Sequence, residues 1–198
     1  MGRPALIDRD AVLITSLDVA DEVGLSGLTM QAVADRLGVT PMALYRHVAN
    51  KADLLDGVVE RLLLEVPLPD PDADLVERLR ALSRGIRKVA RRHPNVFPLL
   101  LQRAAATPGA RRVRDVVYQA LREAGLAEED VVQLERVLAT VILGFAASEA
   151  GGRLAAHSPA QLDADFELVQ GMLADLVMAT LNRSAPGQSA EGLHTAGT

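Results

Sequence analysis

The stretch TMQAVADRLGVTPMALYRHVANK, Thr29 to Lys51, decides the fold. Thr29 stands where its hydroxyl can cap a helix, with Leu28 before it and Val33 after it as a hydrophobic staple. Gly38 stops that helix, because glycine accepts a left-handed C-terminal cap without steric cost. Thr40 then reads as the cap of a second, short helix. Pro41 takes its first position, where a missing N–H does no harm, and Val39 and Leu44 staple it. Asn50, with Asp53 three residues on, opens a further helix through an Asn/Asp capping box. Helix, glycine turn and capped short helix make a helix-turn-helix, whose second helix enters a DNA major groove.

Outward from this stretch the chain reads as all helix. Asp8 caps a first helix with Val12, Ser16, Leu17, Ala20 and Val23 on its inner face, and Gly24-Leu25 ends it. The helix after Asn50 carries Leu54, Leu55, Val58, Leu62 and Leu63 and runs to about Val66. There PLPDPD (Pro67 to Asp72) breaks the chain. Five more helices are predicted: Leu75 to Arg92, Asn95 to Ala105, Ala110 to Ala124, Glu128 to Ala150 and Gln161 to Leu181. Breaks fall at His93-Pro94, Pro108-Gly109, Gly125 and Gly151-Gly152. No alternating β-type run occurs. The expected fold is all-α, about nine helices. Residues 1–50 form a helix-turn-helix head, 51–66 a connecting helix and 67–183 a regulatory and dimerisation body, with a disordered tail from 184 to 198.

Composition narrows the function. The chain has 198 residues, and its aromatic content of 3% leaves Ala, Leu and Val to build the core. No cysteine is present, so thiolate metal sites, thiol nucleophiles and disulfides are excluded. No apolar run is expected to reach the roughly 20 residues of a membrane span, so no membrane partner is expected. The net charge is −5, and Arg3 to Lys51 holds five Arg/Lys against six Asp/Glu. DNA contact therefore has to come from a few local cations, with Asp18, Asp21 and Glu22 turned away. Arg3 reads either as a minor-groove arm or as a terminus that contacts nothing. The run Arg78, Arg80, Arg84, Arg87, Lys88, Arg91, Arg92 reads as a solvated face, with an anion or DNA-backbone role as the other reading. An enzyme is the competing class, but His47, His93, His157 and His194 are far apart, and no P-loop, dinucleotide glycine motif, nucleophile elbow or HExxH occurs. No cofactor or metal is implied.

One short recognition helix reads few bases, so such readers pair on palindromic sites. The last two long helices offer the pairing surface: Gly144 and Ala147 let backbones approach, and Phe166, Met172, Leu176 and Val177 supply apolar area. An intrachain core claims about half of these.

Leu28 to Val58, with Leu44-Tyr45-x-His47, the Gly38 turn and Asn50-Lys51 before Leu54-Leu55, resembles the DNA-binding segment of the tetracycline-repressor (TetR) family of bacterial regulators. LYxHV and Val141 to Glu149 lean toward the branch with a tetracycline-repressor-like C-terminal domain. The resemblance implies a ligand-responsive repressor that binds operator DNA as a homodimer in the bacterial cytoplasm, at the nucleoid when bound. The same head could instead serve a ligand-independent regulator or activator. It implies DNA roles for Thr29 on phosphate, Gln31 on a base edge or phosphate, and Thr40, Pro41, Met42 and Ala43 facing the bases. Tyr45, His47 and Lys51 would hold the backbone, with packing as the other reading of Tyr45 and His47. Arg46 would read guanine. It also implies a small-molecule effector inside the body, for which His93, Phe97, Leu101, Arg103, Tyr118, Val141, Phe145 and Glu149 are pocket candidates, with plain core as the alternative. The histidines that tetracycline repressors place around drug and magnesium are missing from the fourth helix and from the short one after Pro94. Tetracycline is therefore not the expected effector.

Overall fold

The computed structural model describes residues 7–184; Arg3 and the tail beyond Ser184 lie outside the described residues. Those residues form nine helices and no strand: α1 (Arg9–Gly27), α2 (Met30–Leu37), α3 (Pro41–Leu44), α4 (Lys51–Leu64), α5 (Leu75–Arg92), α6 (Leu99–Gln102), α7 (Pro108–Glu123), α8 (Glu128–Ala150) and α9 (Pro159–Ser184). The all-α expectation is met, and Ser184, taken for the start of the tail, instead ends α9.

Local capping chemistry sets the head. The Asp8 carboxylate accepts from the Ala11 N–H (2.7 Å), the Thr29 hydroxyl from the Ala32 N–H (3.0 Å) and the Asn50 side chain from the Asp53 N–H (3.0 Å). Gly38 sits in the left-handed region at φ 67°. Gly24, at φ 75° and ψ 171°, leaves helical geometry as expected, and a separate short turn follows it to Gly27 across the kink. Val23, expected on the inner face, is instead 54% exposed. The Thr40 hydroxyl makes no capping bond, so Pro41 and the backbone alone start α3. The capping box after Asn50 is also rerouted. Asp53 accepts from the Ala49 N–H (2.7 Å) and holds Arg9 with both oxygens (2.6 and 3.2 Å), while Arg9 also donates to the His47 carbonyl (2.7 Å).

Val12, Leu13, Leu17, Ala20, Leu28, Val33, Ala34, Leu44, Val48, Leu54 and Val58 close the head core. At Gly57 of α4, an added Cβ would lie 2.3 Å from Leu13 Cδ2, so glycine is what lets α4 press onto α1. The same cluster continues without interruption through Leu62 and Val66 to Leu82, Val89, Phe97 and Val113 of the body. The helix break at Pro67–Asp72 is not a break in packing. A second cluster, around Leu121, Leu126, Val131, Leu134, Leu138 and Val177, closes the far end of the body.

Three expectations for the body change. The Asn95–Ala105 helix shrinks to α6, preceded by turns that place Phe97 in the core. The basic run on α5 is not simply solvated, because Arg78 and Arg87 are buried. Arg78 pairs with Glu123 (2.6 Å) and Arg87 with Glu149 (2.6 and 2.9 Å), the Arg87 guanidinium lying 4.5 Å from the Phe166 ring centroid. A buried guanidinium persists only where such partners replace its water. Finally, α8 is long and apolar enough to cross a membrane, with a mean hydropathy of 1.5 over its most apolar stretch. The sequence reading passed over it because Glu135 and Arg136 interrupt the apolar run. In the fold, α5, α7 and α9 pack against it.

Candidate DNA interface and the cavity behind it

The turn between α2 and α3 points one set of side chains outward. Thr29, Gln31, Thr40, Met42, Tyr45, Arg46 and Lys51 are exposed, and Pro41, Ala43 and His47 half-buried. Met42 is 74% exposed and Tyr45 47%, so the outward face carries apolar as well as polar groups. Neither Tyr45 nor His47 enters a core cluster. Gln31 donates to Asp35 (2.6 Å), so its amide is already oriented along the helix.

The charge inventory of this face is short. Arg9 is taken by Asp53, and Arg36 is paired with Glu22. The Arg9 bond holds the Asp53 carboxyl below the usual carboxylate range, and Arg36 does the same to Glu22. Asp21 faces the body. Among the described residues of the head, Arg46 and Lys51 are the cations that make no ion pair, and both stand on the outward face. Two unpaired cations, ringed by hydroxyl and apolar groups, suit a surface that reads an edge and touches few phosphates.

Behind the head, the body grips α4 at both ends. At its first turn, Arg103 donates to Asp56 (2.8 Å) and to the Ala52 carbonyl (3.1 Å). At its last turn, Arg112 donates to the carbonyls of Leu63, Leu64 and Val66 (3.2, 3.0 and 2.7 Å), acceptors that a helix end leaves without partners. His93 joins α1 to the end of α4: Nδ1 lies 2.5 Å from Asp21 and Nε2 3.0 Å from Glu65. Asn95 adds a bond to the Asp21 carbonyl (2.7 Å).

Between α4, α5, α7 and α8 lies a cavity of about 270 Å³. Its wall is mostly aliphatic, and the alanines at 104, 105, 110 and 139 explain the empty space, since facing helices bring too little side chain to fill it. Val59 and Leu63 of α4 form one wall. Of the sequence-predicted pocket residues, Arg103 lines the cavity and the others do not. His93 is the head–body connector, Phe97 is fully buried core, and Leu101 and Val141 face outward. Tyr118 lies against Arg122, Phe145 packs on Phe166, and Glu149 is consumed by Arg87 and Arg91. Among the described residues no three His, Asp or Glu side chains are placed to hold a metal ion.

The residues missed are Arg114 and Glu135, which bring charge to the cavity wall. A signal existed: Glu135 falls in register with Val131, Leu138 and Ile142, and Arg114 with Ala110, Val117 and Leu121, each a charge on an apolar stripe.

The predicted pairing residues divide. Phe166 and Val177 are buried within the chain and belong to its own core. Ala147 packs against the main cluster. Met172 and Leu176 are exposed, alongside Val137 and Val141 of α8 and Leu168 and Met178 of α9. At Gly144 and Gly171 an added Cβ would meet nothing.

Comparison with known proteins agrees with this geometry. Residues 13–58 match the family model described as bacterial regulatory proteins of the tetR family, and 79–176 the tetracyclin repressor-like C-terminal domain. The chain is 30% identical over 184 residues to the HTH-type transcriptional repressor DrrR1 of Streptomyces coeruleorubidus, covering 90% of this chain and 67% of that one. It is 32% identical over 155 residues to the class A tetracycline repressor protein from transposon 1721 of Escherichia coli, covering 72% and 67%. The crystal structure of BioQ with its double-stranded DNA operator superposes with a TM-score of 0.72 at 26% identity, covering 87% of this chain and 99% of that one. With the outward-facing helix-turn-helix and the helical body in place, the chain belongs to the TetR family of DNA-binding transcriptional regulators, which are not enzymes.

Proposed function

We propose that this protein is a repressor that binds a palindromic operator as a homodimer and is released by a small molecule held in the body. One observation carries the reading: α4 is at once the base of the head, packed on α1 through Gly57, and a wall of the cavity, through Val59 and Leu63. A molecule that fits the cavity only when α4 is displaced favours a head position unable to span two half-sites, and differential affinity of this kind is what an effector needs. Residues 1–50 act as the reading head, 51–66 as the connecting helix and 67–183 as the effector and dimer body. In the cytoplasm the operator-bound form sits on the nucleoid.

The dimer rests on the outer faces of α8 and α9. Met172, Leu176, Val137, Val141 and Leu168 are exposed apolar side chains on these two helices, the groups that a second copy would cover. Glycine inside a helix costs about 1 kcal/mol relative to alanine, and among the described residues no neighbour comes close enough at Gly144 or Gly171 to require it. Close approach of a second copy would. A partner copy likewise accounts for the apolar outer face of α8. The effector differs from tetracycline, since Glu149 and His93 are engaged elsewhere.

Selection of bound DNA from random sequence tests the reading. The expected product is a palindrome with one half-site per head. Arg46→Ala should change base preference at defined positions, whereas Lys51→Ala should weaken all sequences alike. Equal, sequence-independent losses would remove the base-reading role from Arg46. Binding indifferent to every member of a broad compound panel would favour a regulator without an effector.

A further inference from the structure

We propose that the cavity is built for a neutral, largely apolar molecule about two rings in size, which offers a hydrogen-bond acceptor to Arg114 and a donor to Glu135. The inference rests on the effector reading above and names the chemistry of that site.

Size comes first. An apolar cavity of about 150 Å³ takes one benzene, so 270 Å³ accommodates a two-ring body. The aliphatic lining from Leu79, Leu82, Ile86, Val113, Leu138 and Ile142 rewards an apolar one.

The polar lining decides the rest. Ser83 already donates to the Leu79 carbonyl (2.8 Å), and Arg103 is neutralised by Asp56. Arg114 and Glu135 remain. Among the described residues neither makes an ion pair or a side-chain hydrogen bond, and the buried Arg114 Nε has no acceptor. Burial pushes the Glu135 carboxyl above the usual carboxylate range, against the opposing pull of Arg114 and Arg136. Both side chains are half-buried, and the Arg114 guanidinium also lies 5.8 Å from the Tyr118 ring centroid. A partly desolvated charge without a hydrogen-bond partner is costly, and a ligand that supplies the missing bond recovers part of that cost.

Charge balance then excludes two of three ligand classes. With Arg103 compensated, the wall carries one positive and one negative group. An organic anion would gain Arg114 but face Glu135 across a partly desolvated wall. An organic cation would gain Glu135 but face Arg114. A neutral molecule with a hydroxyl and a carbonyl satisfies both groups and adds no unbalanced charge.

Calorimetric titration of the full chain with four probes tests this: 6-hydroxy-1-tetralone, 1-tetralone, 2-naphthoate and 2-naphthylmethylammonium. The hydroxy-ketone should bind most tightly, about tenfold or more above 1-tetralone, the worth of one hydrogen bond to a charged group. Glu135→Leu should equalise the two tetralones, and Arg114→Met should weaken both. Tightest binding by the naphthoate or by the ammonium overturns the proposal, as does indifference to the hydroxyl or failure of all four to bind. The ranking in the unaltered chain is decisive alone, so a variant that does not fold leaves no gap. Operator affinity, measured alongside, separates the two ideas. Probe binding that leaves operator affinity unchanged counts against effector control and not against the ligand class. Operator release by compounds insensitive to Glu135 and Arg114 does the reverse.

Discussion

The head and the body are built from the same small residues, yet one is closed and the other hollow. In the head, Ala34 is fully buried and α4 sits so close to α1 that Gly57 admits no side chain. In the body, Ala139 borders about 270 Å³ of space. A filled core moves as a unit, and a hollow one can rearrange around an occupant. The difference assigns rigidity to the reader and compliance to the sensor, with α4 belonging to both.

The same substitution in the two regions should have opposite signs. Ala34→Leu, with no room for three more carbons, is expected to cost about 1–3 kcal/mol or more, seen as a lowered thermal midpoint and lost operator binding. An unchanged midpoint would mean that the head is not closed. Ala139→Leu should gain about 0.5–2 kcal/mol by filling the cavity and should raise the effector concentration needed for DNA release. A loss of stability there would show that the hollow is already committed to another arrangement.

The smallest effect concerns the Arg9–Asp53 pair, which is partly solvated and worth at most about 1 kcal/mol. Arg9 lowers the Asp53 pKa from its ordinary 3.8. The contribution is therefore fully present above about that pH and fades as the pH falls through the lower folded-state value. Denaturant melts of wild type and Asp53→Asn should differ at pH 6, and the gap should narrow progressively as the pH is lowered below about 4. A gap that stays constant with pH would show that the loss is steric.

Legibility in the sequence follows the range of the interactions. Asp8, Thr29, Gly38 and Asn50 act on backbone within three or four positions of themselves, so their roles could be read directly. Arg9 with Asp53, Arg103 with Asp56, Arg87 with Glu149 and His93 with Asp21 join residues 44 to 72 positions apart. No local pattern announces such partners, so Glu149 and His93 passed for pocket residues. Apolar stripes reveal which face of a helix turns inward, not whether it meets a neighbour or a void. Leu79, with Leu75 and Leu82, and Leu138, with Leu134 and Ile142, fall at helical spacing on apolar stripes, yet their place beside the cavity depends on how the helices cross. Phe166 and Val177 failed as interface residues for the same reason: α9 has apolar residues on two faces, and only packing separates them.

The double grip on α4 bears on how such regulators could be recombined. A designer wishing to give this body a new operator would be drawn to cut at the prolines after Val66. That cut would carry off Ala52, Asp56, Glu65 and the carbonyls of Leu63 and Leu64, the handles that Arg103, His93 and Arg112 hold. A junction near Asn50, with α4 retained by the body, keeps those handles but still loses Asp21 and the α1 surface that Gly57 fits. Exchangeability of the head is thus limited by a few side-chain addresses on α1 and α4, and a graft that restores Asp21 and the small-residue fit at Gly57 is the one that should still respond.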